Sequence, residues 1–156
     1  MGLDMYLNAT KWLPCHYGKD EKKEVVSVTI KGKTFSSDKG FNDIGRLDTI
    51  HCTGIYWRKA NAIHKWFVDN TQGGEDNCRS SDVSREQIIE LREVCKKVLA
   101  NKELAKELLP PQEGFFFGTY ELDEWYWGTI KDTITEIDEL LEFFDESWDF
   151  EYRASW

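Results

Sequence analysis

The chain has 156 residues, a formal charge of −9 and an aromatic content of 14%, with seven tryptophans. That length suits a single domain over residues 1–156 with a real hydrophobic core. The aromatic richness excludes a disordered chain, and the acidic balance argues against direct nucleic-acid binding, which needs clustered Lys and Arg on the phosphates. The charge is uneven, with roughly 11 basic and 10 acidic groups in residues 1–78 against roughly 9 and 19 in residues 79–156.

No apolar run approaches the ~20 residues of a membrane span, and no signal-peptide pattern opens the sequence. These features predict a cytoplasmic protein that makes no membrane contact and whose four cysteines are reduced thiols.

Leu3, Met5 and Leu7 alternate with Asp4, Tyr6 and Asn8, the period-two signature of a strand with one buried face. Residues 25–30 are rich in β-branched side chains, and Lys31-Gly32-Lys33 supplies a turn into Thr34-Phe35, which predicts a hairpin. Residues 36–46 read as a loop, with a short strand over 48–52.

The central stretch, residues 55–70, reads as a helix with Thr53 as its N-cap and Gln72-Gly73-Gly74 beyond its end. Wound at about 100° per residue, Tyr56, Ala60, Ile63 and Phe67 form an apolar stripe. Beside it, Trp57, Asn61, His64 and Val68 mix an indole, an amide and an imidazole at helical spacing, while Arg58, Lys65 and Asp69 face solvent.

Ser84-Arg85-Glu86-Gln87 is a capping box opening a second helix, on which Ile88, Leu91, Cys95, Val98 and Leu99 form the apolar stripe. A short third helix over 102–109 is stopped by Pro110-Pro111. After Gly114-Phe115-Phe116-Phe117-Gly118, Asp123 caps a long helix over about residues 124–145. Residues 148–156 alternate strictly and predict a last strand presenting Trp148, Phe150, Tyr152 and Trp156 on one face. With no repeated β-α-β rhythm, the pattern is α+β: a small antiparallel sheet from both ends of the chain, packed with three to four helices.

Trp57, Arg58, Asn61 and His64, walled by Phe116, Trp125 and Tyr126, suit a planar anionic ligand of the nucleotide kind. The rings stack, the amide and imidazole read edges, and the guanidinium pairs with a phosphate or carboxylate. Against this stands ordinary core packing with His64 and Asn61 satisfied internally. Cys15-His16 and His51-Cys52 supply the donor types of a zinc site, but adjacent residues on a strand point to opposite faces and chelate poorly. The sequence implies no metal or other cofactor. It contains no nucleophile elbow, phosphate loop, dinucleotide fingerprint or metalloprotease motif, so binding is favoured over catalysis.

From Glu121 to Glu151 about 12 acidic residues face one lysine, Lys131. Asp132, Glu136 and Glu139 lie away from the apolar stripe of their helix. They read either as a solvated face or as a negative surface that steers towards a basic protein groove by imitating nucleic acid. If the terminal aromatic strand lay at a sheet edge, it would be a homodimer contact.

The opening Met1-Gly2-Leu3-Asp4-Met5-Tyr6-Leu7, the block from Tyr56-Trp57-Arg58-Lys59-Ala60-Asn61 through Ile63-His64-Lys65-Trp66-Phe67, and the later Gly114-Phe115-Phe116-Phe117-Gly118 with Asp123-Glu124-Trp125-Tyr126-Trp127 resemble one family. It consists of small proteins encoded by bacteriophages and prophages, and the likeness runs over most of the chain. It implies a phage accessory protein acting in the bacterial host cytoplasm, and carries over no activity or catalytic residue. Proteins of that class commonly counter host defence, either by sequestering a nucleotide-type signal or by occupying a host protein's basic groove. A structural or regulatory phage protein is the blander alternative.

Overall fold

The computed structural model describes residues 2–14, 24–112, 114 and 121–156. Its elements form an α+β fold. The chain divides into two compact units, Met1–Ala9 with Cys52–Trp156, and Thr10–His51.

In the larger unit, the alternation at the start of the chain places Leu3, Met5, Leu7 and Ala9 in the core from β1 (Asp4–Trp12). β4 (Thr49–Arg58), β5 (Ser81–Val83) and β6 (Asp149–Ser155) complete an antiparallel sheet of order β4-β1-β6-β5. The expected last strand is therefore present, with Phe150, Tyr152 and Ala154 buried and Trp148 and Trp156 packed on the core margin. It is an interior strand between β1 and β5, so it offers no free edge and the homodimer contact expected there is withdrawn.

The predicted helix over residues 55–70 is corrected. β4 runs through Ile55, Tyr56 and Trp57 to Arg58, Lys59 turns the chain at a left-handed φ of 55°, and α1 covers only Asn61–Thr71. Bulky Ile, Tyr and Trp favour a pleated surface, and a short apolar run fits either period. Thr53 is consequently a mid-strand residue, not a cap, and the short strand expected over 48–52 is the start of β4.

Along β4 the inward positions run Cys52, Gly54 and then Ile55, Trp57, a one-residue slip in the alternation that marks a bulge. Gly54 is required there. A Cβ would stand 2.7 Å from Leu140 Cδ1 and 3.0 Å from the Leu7 carbonyl oxygen. Gly54→Ala is expected to cost about 1–3 kcal/mol, whereas Gly128→Ala, in open space on a helix, should gain about 0.5–1 kcal/mol. Urea midpoints of the two variants check both signs.

α2 (Arg85–Ala100) opens with the expected box, Ser84 accepting from the Gln87 amide and Gln87 from the Ser84 amide. Ile88, Leu91, Cys95 and Val98 are fully buried, and burial pushes the Cys95 thiol up to about 12. A 3-10 turn, Lys102–Leu104, leads into α3 (Ala105–Leu108). α4 (Glu124–Phe143), the longest helix, is capped by Asp123 on the Tyr126 amide. It packs on α2, with Ile130, Ile137 and Leu140 inward. Arg85 ties the two together by donating to the Leu141 and Phe144 carbonyls, both at 2.7 Å.

In the smaller unit, β2 (Ser27–Ile30) and β3 (Lys33–Ser36) form the expected hairpin, Val28 opposite Phe35 and Thr29 opposite Thr34. Lys31 and Gly32 both take positive φ, 49° and 75°, the two-residue turn whose twist matches its strands. Turns fill much of residues 37–45, where Asp43 caps the Gly40 amide at 2.8 Å. No helix among the described residues is long and apolar enough to cross a membrane.

Candidate functional site

The break at Lys59 separates the residues expected to share one helical shoulder. Trp57 lies on β4, 4% exposed, and its indole N–H donates to Thr133 Oγ1 of α4 at 3.0 Å. Its ring tilts against Phe67 with centroids 5.8 Å apart. Trp57 is thus a core residue with its polar atom satisfied.

His64, on α1, is fully buried. Its Nε2 lies 3.0 Å from Asp76 Oδ2 and its Nδ1 2.7 Å from the Tyr152 hydroxyl. A carboxylate only accepts, so Nε2 carries the proton and the Tyr152 O–H donates to Nδ1. Burial lowers the His64 pKa and outweighs the raising effect of Asp76; burial likewise raises Tyr152 well above the ordinary phenol value. Both groups therefore stay neutral. Gln112 reaches the same Asp76 oxygen at 3.4 Å. The cluster orients α1 against β6 and is closed to a ligand on the imidazole. Tyr152, Asp76 and Gln112 were missed because they lie far from His64 in sequence and carry no motif.

The start of α1 is different. Ala60 offers no side-chain cap, no acidic residue stands in the first turn, and Ala60, Asn61, Ala62 and Ile63 are all buried. A small cleft of about 20 Å³ opens here, lined by Lys59, Asn61, Glu121, Trp125 and Tyr126 among others. Trp125 is 63% exposed, while Tyr126 is buried with its hydroxyl donating to the Leu109 carbonyl at 2.8 Å. Arg58 stands just before Lys59, its Nε 3.9 Å from Asp4, which also accepts from the Tyr56 hydroxyl. The structure therefore gathers Asn61, Trp125 and Tyr126 at one cleft and adds Lys59, whose left-handed backbone gave no sequence signal. Phe116 lies outside the described residues.

Trp125 also borders a groove between β4 and α4. One part, of about 230 Å³, is lined by Tyr56, Arg58, Glu124, Trp125, Asp132 and Glu136. The next, of about 520 Å³, shares Tyr56 and Glu136 and adds Glu139, Gly54 and Phe143. The three carboxylates singled out on α4 thus line one trough. Glu136 Oε2 is buried and has no hydrogen-bond partner among the described residues. Burial, then Asp132 and Glu139, push its carboxyl up to about 7. The sign follows: native Glu136 holds its proton more tightly than the unfolded chain does. Its contribution to stability is full below the ordinary value of 4.5 and is lost as the pH rises through 7. Glu136→Gln is expected to grow more stable relative to the parent between pH 5 and pH 8, as paired urea melts would show.

For zinc, His51 and Cys52 alternate in exposure on β4, and His51 Nδ1 lies 3.1 Å from Thr10 Oγ1. Cys15 and His16 lie outside the described residues, and no metal-holding cluster occurs among the described residues. Cys52, Cys78 and Cys95 are free thiols.

Comparisons with protein families, with curated proteins and with solved structures find no match to this chain.

Proposed function

We propose that the protein is a non-enzymatic binding protein that holds a small, flat anion of the nucleotide kind at the start of α1, as a phage accessory protein would to sequester a host signal. The observation that carries this reading is the cleft at the start of α1, where Lys59 and the exposed Trp125 ring meet Asn61 and Tyr126. The positive end of a helix favours an anion, the Lys59 ammonium pairs with a phosphate or carboxylate, and an indole stacks on a base. The test is mass spectrometry of small molecules released from the purified protein, followed by titration of a nucleotide panel against Asn61, Ala62 and Ile63 amide resonances. A nucleotide that moves those amides, and is lost from Trp125→Ala, supports the reading. A full panel that moves none of them overturns it.

A second reading rests on Glu136. A carboxylate oxygen buried without a partner among the described residues, between two further acids in an open trough, favours a surface that docks a basic partner such as a host defence protein. Charge reversal at Asp132 and Glu139 then weakens that partner's binding, and raised salt does the same.

A further inference from the structure

β4 is an outer strand of its sheet, and among the described residues one of its sides has no neighbouring strand. The Lys59 amide donates across to the Leu3 carbonyl at 2.8 Å. Because backbone groups alternate in direction along a strand, those of Arg58 and Tyr56 point the other way, to the open side. No backbone hydrogen bond from residues 52–58 to a group beyond the sheet occurs among the described residues.

The acidic trough follows this open strand. Trp57 stands against Thr133, and Gly54 against Leu140. Three strand residues span about 10 Å at ~3.3 Å each, and seven helical residues about 10.5 Å at ~1.5 Å each. β4 and α4 therefore keep pace along the groove in opposite directions. Its walls carry Glu124, Asp132, Glu136 and Glu139 against one cation, Arg58, and its rim carries the exposed rings of Tyr56, Trp125 and Phe143.

We propose that this groove takes an extended, basic polypeptide segment, which adds as a further strand on the open side of β4 and sends alternate lysine or arginine side chains to Asp132, Glu136 and Glu139. The proposal rests on the second reading above and specifies its partner. Alternate residues of a strand are about 6.6 Å apart, and Asp132 and Glu136, one helical step of four residues, are about 6 Å apart along the axis. Two basic side chains on one face of the segment therefore meet two carboxylates. Main-chain hydrogen bonds would supply the affinity and the carboxylates the choice of sequence.

The probes are three synthetic octapeptides: lysine alternating with threonine, the same peptide N-methylated at the amides that would face β4, and a control with glutamate in place of lysine. Binding is read by calorimetry to millimolar concentration at low salt, with hydrogen exchange of the Tyr56 and Arg58 amides followed alongside. The expected result is binding of the first peptide, loss of at least tenfold in affinity on N-methylation and on Glu136→Gln, no binding of the control, and slowed exchange at Tyr56 and Arg58. Equal binding of the N-methylated peptide would overturn strand addition and leave the acidic docking surface standing. If the lysine peptide binds no better than the control, both fall together.

Discussion

Replacing His64 with alanine is expected to destabilise the protein by about 3–5 kcal/mol, the range for emptying a buried site and stranding its polar partners. The substitution leaves the Tyr152 hydroxyl without its 2.7 Å acceptor and Asp76 without its imidazole donor, beside the Phe67–Tyr152 stack at 4.0 Å centroid separation. Against the ~5–15 kcal/mol of a typical domain, such a loss unfolds a large fraction of molecules near body temperature. The urea midpoint at neutral pH measures it. A pH signature accompanies it. Burial holds the native imidazole below its ordinary value of 6.5, so the unfolded chain takes the proton first as the pH falls. The contribution of neutral His64 is full above 6.5 and is lost below it. The parent should therefore weaken on acidification more steeply than His64→Ala does. A midpoint within 1 kcal/mol of the parent, with no change in acid slope, would show that the imidazole is not held as described.

Trp57→Ala is expected to cost a similar ~3–5 kcal/mol. The indole packs between β4, α1 and α4, and its N–H donates to Thr133 Oγ1, itself fully buried. Trp57→Phe should recover most of the loss, keeping the ring while leaving one hydroxyl unpaired at about 1–3 kcal/mol. Thermal and chemical melts of the pair separate packing from hydrogen bonding. Trp125→Ala, by contrast, removes an exposed ring and should leave the midpoint within about 0.5 kcal/mol. The two tryptophans are thus told apart by stability alone, before any ligand is in hand.

These contrasts mark where sequence reasoning succeeds here. The Ser84 box, the Asp123 cap, the Lys31-Gly32 turn and the alternations at both ends of the chain are each local devices, and each forms where its residues place it. The stretch at residues 55–70 fails because its strand-to-helix switch depends on Lys59 adopting a left-handed backbone, which no side-chain pattern announces. The same failure scattered the supposed binding shoulder: Trp57 joined the core, Arg58 the rim, and His64 a cluster with residues 12 and 88 positions away. Asp132, Glu136 and Glu139 were legible as one helical face, but not as a trough. That required knowing that β4 runs beside α4.

The strand order also governs when the protein can form. β1, the first of the described elements to be made, pairs in the interior of the sheet with β6, the last of them. Neighbours so remote in sequence give a high contact order, which places folding in the slow, millisecond-to-second regime of non-local pairings. While the chain is still being synthesised, β1 has an unclaimed edge and the apolar residues that β6 will cover remain open to water. The newborn chain is therefore more prone to aggregation until β6 leaves the ribosome.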